Sequence, residues 1–136
     1  MSETLEVLIK LAERKVEAAQ RELAQMREAI ALTRERMKQL EQDAAVAFVT
    51  AVAEDDVLSI QAAGAFQERI RREINALREI EAKLMEEEEA QKALLQELYA
   101  GQKKYELLLE KQKLALRKER MKKAQNALDE VAGRRR

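Results

Sequence analysis

The sequence predicts an all-α protein, a long two-helix antiparallel coiled-coil hairpin whose second helix is longer than its first. Three observations carry this expectation. Helix breakers are scarce, because the 136 residues include no Pro and only Gly64, Gly101 and Gly133. Charged residues make up 38% of the chain and aromatics 3%, which suits a thin buried seam between wet flanks rather than a thick core. The third observation is a seven-residue apolar spacing. One column runs Leu5, Ala12, Ala19, Met26, Thr33, Leu40, Ala47, and a second runs Ile9, Val16, Leu23, Ile30, Met37, Ala44, Ala51. Of these fourteen positions only Thr33 is not apolar. A 4-3 repeat held this long is what a helix needs to bury one narrow stripe against another helix.

The first helix is expected over about 3–53, with Ser2 or Thr4 as its cap. The heptad pattern breaks at Glu54-Asp55-Asp56-Val57-Leu58-Ser59, where acidic and cap-forming residues gather. The turn is placed at about 54–59, with Gly64 as a second weak point. A short link between long helices makes them antiparallel neighbours.

The second helix is expected over about 58–132, closing a single hairpin domain of residues 1–136. One of its columns reads Ile70, Leu77, Leu84, Gln91, Leu98, Tyr105, Gln112. The partner column is split, using Ile74, then Ile80, then Leu94 and Leu95, then Leu108 and Leu109. This pattern predicts a drifting seam, with local unwinding near the acidic run 86–89. Gly101 is tolerated inside the helix, while Gly133 and Arg134 to Arg136 read as a helix stop and a frayed basic tail.

Length then makes a prediction. At 1.5 Å per residue the helices are roughly 70 Å and roughly 110 Å long. A reversal near residue 56 sets Leu5 beside about residue 107, so the chain from about 108 onward overhangs without a partner. This overhang carries Leu109, Leu114, Leu116, Met121, Leu128 and Val131, together with Lys111, Lys113, Arg117, Lys118, Arg120, Lys122 and Lys123. A helix of this kind binds something or frays.

The formal net charge is zero but unevenly spread. Residues 1–53 carry eight basic and nine acidic groups, residues 54–100 six and twelve, and residues 101–136 twelve and five. The middle is acidic and the end basic. Three readings of the basic end follow: a docking element inside an acidic or loop-lined cavity, a solvated helix end that complements the macrodipole, or a nucleic-acid grip. The last is the weakest, because five acids interrupt the segment and only Tyr99 and Tyr105 could stack nearby.

Catalysis is not expected. The chain lacks His and Cys and has no Gly-rich phosphate loop. Its carboxylates sit on helix flanks near Lys and Arg, and the four consecutive Glu at 86–89 spread round the axis, so they cannot converge on one ion. No metal and no cofactor is expected. The opening MSETLEVLIK lacks a basic region followed by an apolar run, so no secretory signal is expected, and no stretch is apolar enough to span a bilayer. Absence of Cys fits a reducing cytoplasm.

Phe48 and Phe66 flank the turn. They either plug the hairpin end or form an exposed apolar patch there with Leu40, Val49 and Ile70.

The run Leu11-Ala12-Glu13-Arg14-Lys15-Val16-Glu17-Ala18-Ala19-Gln20-Arg21-Glu22-Leu23-Ala24 resembles the N-terminal helix of the flagellar FliJ family. The run Lys122-Lys123-Ala124-Gln125-Asn126-Ala127-Leu128-Asp129-Glu130-Val131-Ala132 resembles its C-terminal end, and Phe66-Gln67-Glu68-Arg69-Ile70 also fits. The resemblance covers nearly the whole chain. It implies a non-enzymatic stalk and adaptor of the flagellar type III export apparatus, similar to the central stalk of rotary ATPases and related to the YscO family of virulence secretion. The implied partners are the export ATPase hexamer, the export gate's membrane protein and export chaperones. The ATPase end would use Leu109, Lys113, Leu116, Arg117, Arg120, Met121, Lys122, Lys123 and Leu128. The gate end would use Leu40, Phe66 and Ile70. Here the chain carries Asp43 and Ala47, not aromatics, over part of the face before the turn. The implied location is cytoplasmic, peripherally associated with the cytoplasmic side of the inner membrane at the flagellar base, and a monomeric hairpin is expected. A general coiled-coil or chaperone-like scaffold, a nucleic-acid-binding rod and a parallel homodimer remain as alternatives.

Overall fold

The computed structural model describes residues 2–134. It contains two α-helices, α1 (Ser2–Glu54) and α2 (Val57–Arg134), and no strand among the described residues. They are 53 and 78 residues long, so the second is the longer. Thr4 lies within α1 and is not its cap. The side chain of Ser2 and residues 135–136 lie outside the described residues. Gly64, Gly101 and Gly133 are all helical, and α2 continues through Gly133 to Arg134 instead of stopping there.

The reversal falls on Asp55 and Asp56. Asp55 has a φ of 49°, in the left-handed region that Asp tolerates better than most residues. Asp56 then caps α2. Its Oδ1 accepts from the Leu58 N–H at 3.3 Å, and its carbonyl accepts from the Ile60 N–H at 3.0 Å. Ser59 Oγ donates to Glu54 Oε2 at 2.7 Å, tying the two helix ends across the turn.

Contacts gather in two units, residues 19–93 and residues 2–18 with 94–134. In the first, Leu40, Ile70 and Ile74 form a buried cluster, with Met37, Ala44, Phe66 and Leu77 packed against it. Nearer the turn the seam is made of small residues, Ala51 and Ala63, both buried. Arg34 bonds Glu81 at 2.9 Å and Arg36 bonds Glu73 at 3.2 Å, each joining α1 to α2. In the second unit Leu8 and Ala12 of α1 share a groove with Leu98, Gly101 and Tyr105 of α2.

The columns of α1 behave as their spacing requires. All fourteen positions are buried or half-buried. Thr33, the polar exception, donates its hydroxyl to the Ala29 carbonyl at 2.8 Å, so the group costs little inside the seam. The seam stays thin, since the tightest side chains, Ile30 and Leu40, are still 4% exposed.

The α2 seam differs from the sequence expectation. It does not drift, and α2 is uninterrupted α-helix through 86–89. Buried and half-buried positions continue in 3-4 steps through Ile70, Ile74, Leu77, Glu81, Leu84, Glu88, Gln91, Leu95, Leu98, Gln102, Tyr105, Leu109 and Gln112. Ile80, Leu94 and Leu108, assigned to the seam from the sequence, are exposed. Glu81 takes the place expected of Ile80, Leu95 and Leu109 alone fill the places at which two Leu were expected, and Glu88, Gln91, Gln102 and Gln112 complete the line. Each of the deeper polar residues has a partner: Glu81 takes Arg34 and Gln91 donates to the Ala19 carbonyl at 3.2 Å, both across the seam, while Glu88 takes Lys92 and Gln102 donates to Glu106 within α2. Their aliphatic stems cover the seam while the polar ends find partners at its edge.

Candidate interaction surfaces

The uncovered end of α2 is the first surface. Every described residue from Lys113 to Arg134 is exposed, whereas Leu109 and Gln112 are still half-buried. The partner of this last covered turn is the start of α1, since Thr4 and Leu5 line one groove with Leu108, Lys111, Gln112 and Ala115. Helix beyond this point needs no new nucleation, because α2 is already wound where it is covered. Its helical state is supported along the surface by pairs such as Lys123 with Glu119 and Gln125 with Asp129.

The residues assigned to this end from the sequence do not share one face. Leu109, Leu116 and Lys123 repeat at seven and continue the seam line. Lys113 and Arg120 lie beside it. Met121 and Leu128 belong to a line on the far side, with Arg117 next to it and Lys122 separate from both. Apolar and cationic groups therefore surround the helix rather than forming one stripe.

The turn end is the second surface. Leu40 and Ile70 are 4% and 5% exposed, so both are spent on the seam and offer no side chain to a partner in this state. Phe66 is half-buried against them, with the Arg69 guanidinium 5.9 Å from its ring centre. The two Phe thus divide their roles: Phe66 packs, whereas Phe48 is exposed. The apolar surface left to solvent here consists of Val46, Phe48, Val49 and Val52 on α1 with Val57, Leu58 and Ile60 on α2. Periodicity did not find most of these residues; the absence of a seam role at 57, 58 and 60 was the available signal.

Among the described residues no group of three or more acidic, His or Cys side chains could hold a metal, and no helix is long and apolar enough to cross a membrane. The buried side-chain polar atoms of the described residues all have partners.

No curated protein and no solved structure matches the chain. The family model described as Flagellar FliJ protein matches residues 1–136. The chain therefore belongs to the flagellar FliJ family, and with it to flagellar protein export.

Proposed function

We propose that this chain is a non-enzymatic stalk and adaptor of the export apparatus, and that the uncovered end of α2 enters the ring of the export ATPase and promotes its assembly and activity. The observation that carries this reading is the run of exposed residues from Lys113 to Arg134. Leu114, Leu116, Met121, Leu128 and Val131 remain in water there, in a segment rich in Lys and Arg. Apolar groups on more than one side suit a helix that is enclosed, as in a ring lumen, better than one that lies on a flat surface. A segment that binds the assembled ring and not the free subunits raises the population of rings by mass action.

The turn end serves as the second contact in this reading, toward the membrane-embedded export gate, with export chaperones as further partners. Phe48, Val49 and the outer edge of Phe66 are the contact groups, and Leu40 and Ile70 back Phe66 from within.

Removal of residues 117–136 tests the assignment. ATPase stimulation is expected to disappear while the paired helices keep their circular dichroism and melting behaviour. Full stimulation by the shortened chain overturns the stalk role. A general interaction module is the second reading, favoured by the exposed apolar groups at the turn. It predicts that Phe48→Asp abolishes partner capture while Lys122→Glu with Lys123→Glu does not, and the stalk reading predicts the reverse for the ATPase.

A further inference from the structure

The far side of α2 carries a second apolar column that begins while α1 still covers the near side. Ala100, Leu107, Leu114, Met121 and Leu128 are spaced by seven and all exposed. The four large side chains are between 47% and 67% exposed. Seam positions flank this column at a distance of half a turn, for example Tyr105 and Leu109 around Leu107, so it occupies the position of a coiled coil that normally faces solvent most directly. Earlier in the same helix the equivalent positions are Leu58 and Ala65 next to the turn, then the charged Arg72, Glu79 and Glu86, then Ala93. The change from charge to Leu and Met begins after residue 100 and holds for four successive heptads.

The flanks of the column are cationic. Lys103, Lys104, Lys111, Arg117 and Lys118 adjoin it, against two acids, Glu97 at its start and Glu110. Ala100, Leu107 and Leu108 line one groove together with Lys103, Lys104 and Lys111. Lysine stems extend the apolar surface and their ammonium groups stand at its rim.

We propose that this outer strip, from Ala100 to Leu128, docks an amphipathic helix with acidic flanks. The seven-residue spacing selects a helical occupant, because a strand or loop does not repeat at that interval. The cationic rim selects acidic flanks. A second copy docked through the same strip would bring two sets of these cations together, in either orientation. An anionic lipid surface needs a broad apolar face, and here cations stand directly beside a column one residue wide. The strip shares Leu114, Met121 and Leu128 with the end on which the stalk role rests, whereas Ala100, Lys103, Lys104, Leu107 and Lys111 lie before Lys113 and outside it.

The test uses the full-length protein and a labelled synthetic peptide of about four heptads, with Leu at its seam positions and Glu on its flanks. A peptide with Lys in place of Glu is the control. Fluorescence anisotropy at physiological salt is expected to show binding of the Glu peptide and none of the Lys peptide. Leu107→Ser with Leu114→Ser is expected to weaken binding at least tenfold, as is Lys103→Glu with Lys104→Glu and Lys111→Glu. Leu116→Ser, on the seam line, is expected to leave it unchanged. These sites are exposed, so circular dichroism of each variant should match the parent. Absence of Glu-peptide binding overturns the proposal, as does binding insensitive to Leu107 and Leu114. Leu107-dependent doubling of mass in sedimentation overturns it in favour of a second copy. Leu107-dependent retention on phosphatidylserine vesicles without peptide binding overturns it in favour of a membrane surface.

Discussion

The two helices solve the same packing problem with different materials. The columns of α1 are apolar everywhere except Thr33, and five of the fourteen positions are Ala. The facing positions of α2 include Glu81, Glu88, Gln91, Gln102 and Gln112. A thin seam accepts this asymmetry because one side can be small where the other is long and polar. Gln91 lies against Ala19 and uses its carbonyl as acceptor, so neither space nor hydrogen bonds are wasted. The lesson is that one patterned helix can organise an antiparallel pair, and that its partner keeps freedom to place polar groups where register must be specified.

Breaking the apolar side should have the largest effect. Leu40→Ala removes a side chain from the cluster with Ile70 and Ile74 and is expected to cost about 2–4 kcal/mol in urea denaturation. A loss below about 0.5 kcal/mol would show that the seam does not carry the fold. Making α2 as apolar as α1 should work in the opposite direction. Gln91→Leu is expected to raise stability by about 1 kcal/mol, with sedimentation showing a broader or heavier distribution than that of the parent chain. If the distribution matches the parent's, Gln91 does not specify the pairing. At the junction between the helices, Asp56→Ala removes the cap on the Leu58 N–H and should cost about 1 kcal/mol, read as a lower melting temperature. The smallest effect is expected at Ile80→Ala, within about 0.5 kcal/mol, because Ile80 faces water and its neighbour Glu81 occupies the seam. A larger loss there would restore the seam inferred from apolar residues alone.

Ile80 and Glu81 also show where sequence reading stopped. The stripe of α1 was legible because its two seven-residue columns, apolar except at Thr33, are buried or half-buried at all fourteen positions. In α2 they separate. Following Ile80, Leu94 and Leu108 gives a drifting line, whereas the buried line runs straight through Glu81, Leu95 and Leu109. Hydrophobicity could not distinguish a Glu held by Arg34 from one in free solvent, since that difference depends on a residue 47 positions away. The same limit applies at the turn. Leu40 and Ile70 have the composition of a contact patch, but pairing buries both of them, and the exposed apolar groups are Phe48, Val49 and their neighbours.

Local chemistry was sufficient for some features. The scarcity of breakers and the long run of Ala, Leu, Glu, Lys and Arg made two helices, and Asp55 and Asp56 ended one and capped the next. The 4-3 spacing of α1 chose its buried face. Only the pairing of the helices decided which residues of α2 meet that face. It also decided that cover ends at Gln112 and that a Leu and Met column is left on the outside. Helix formation depends on neighbours within a turn or so, whereas burial depends on what lies opposite, and that is settled when distant segments come together.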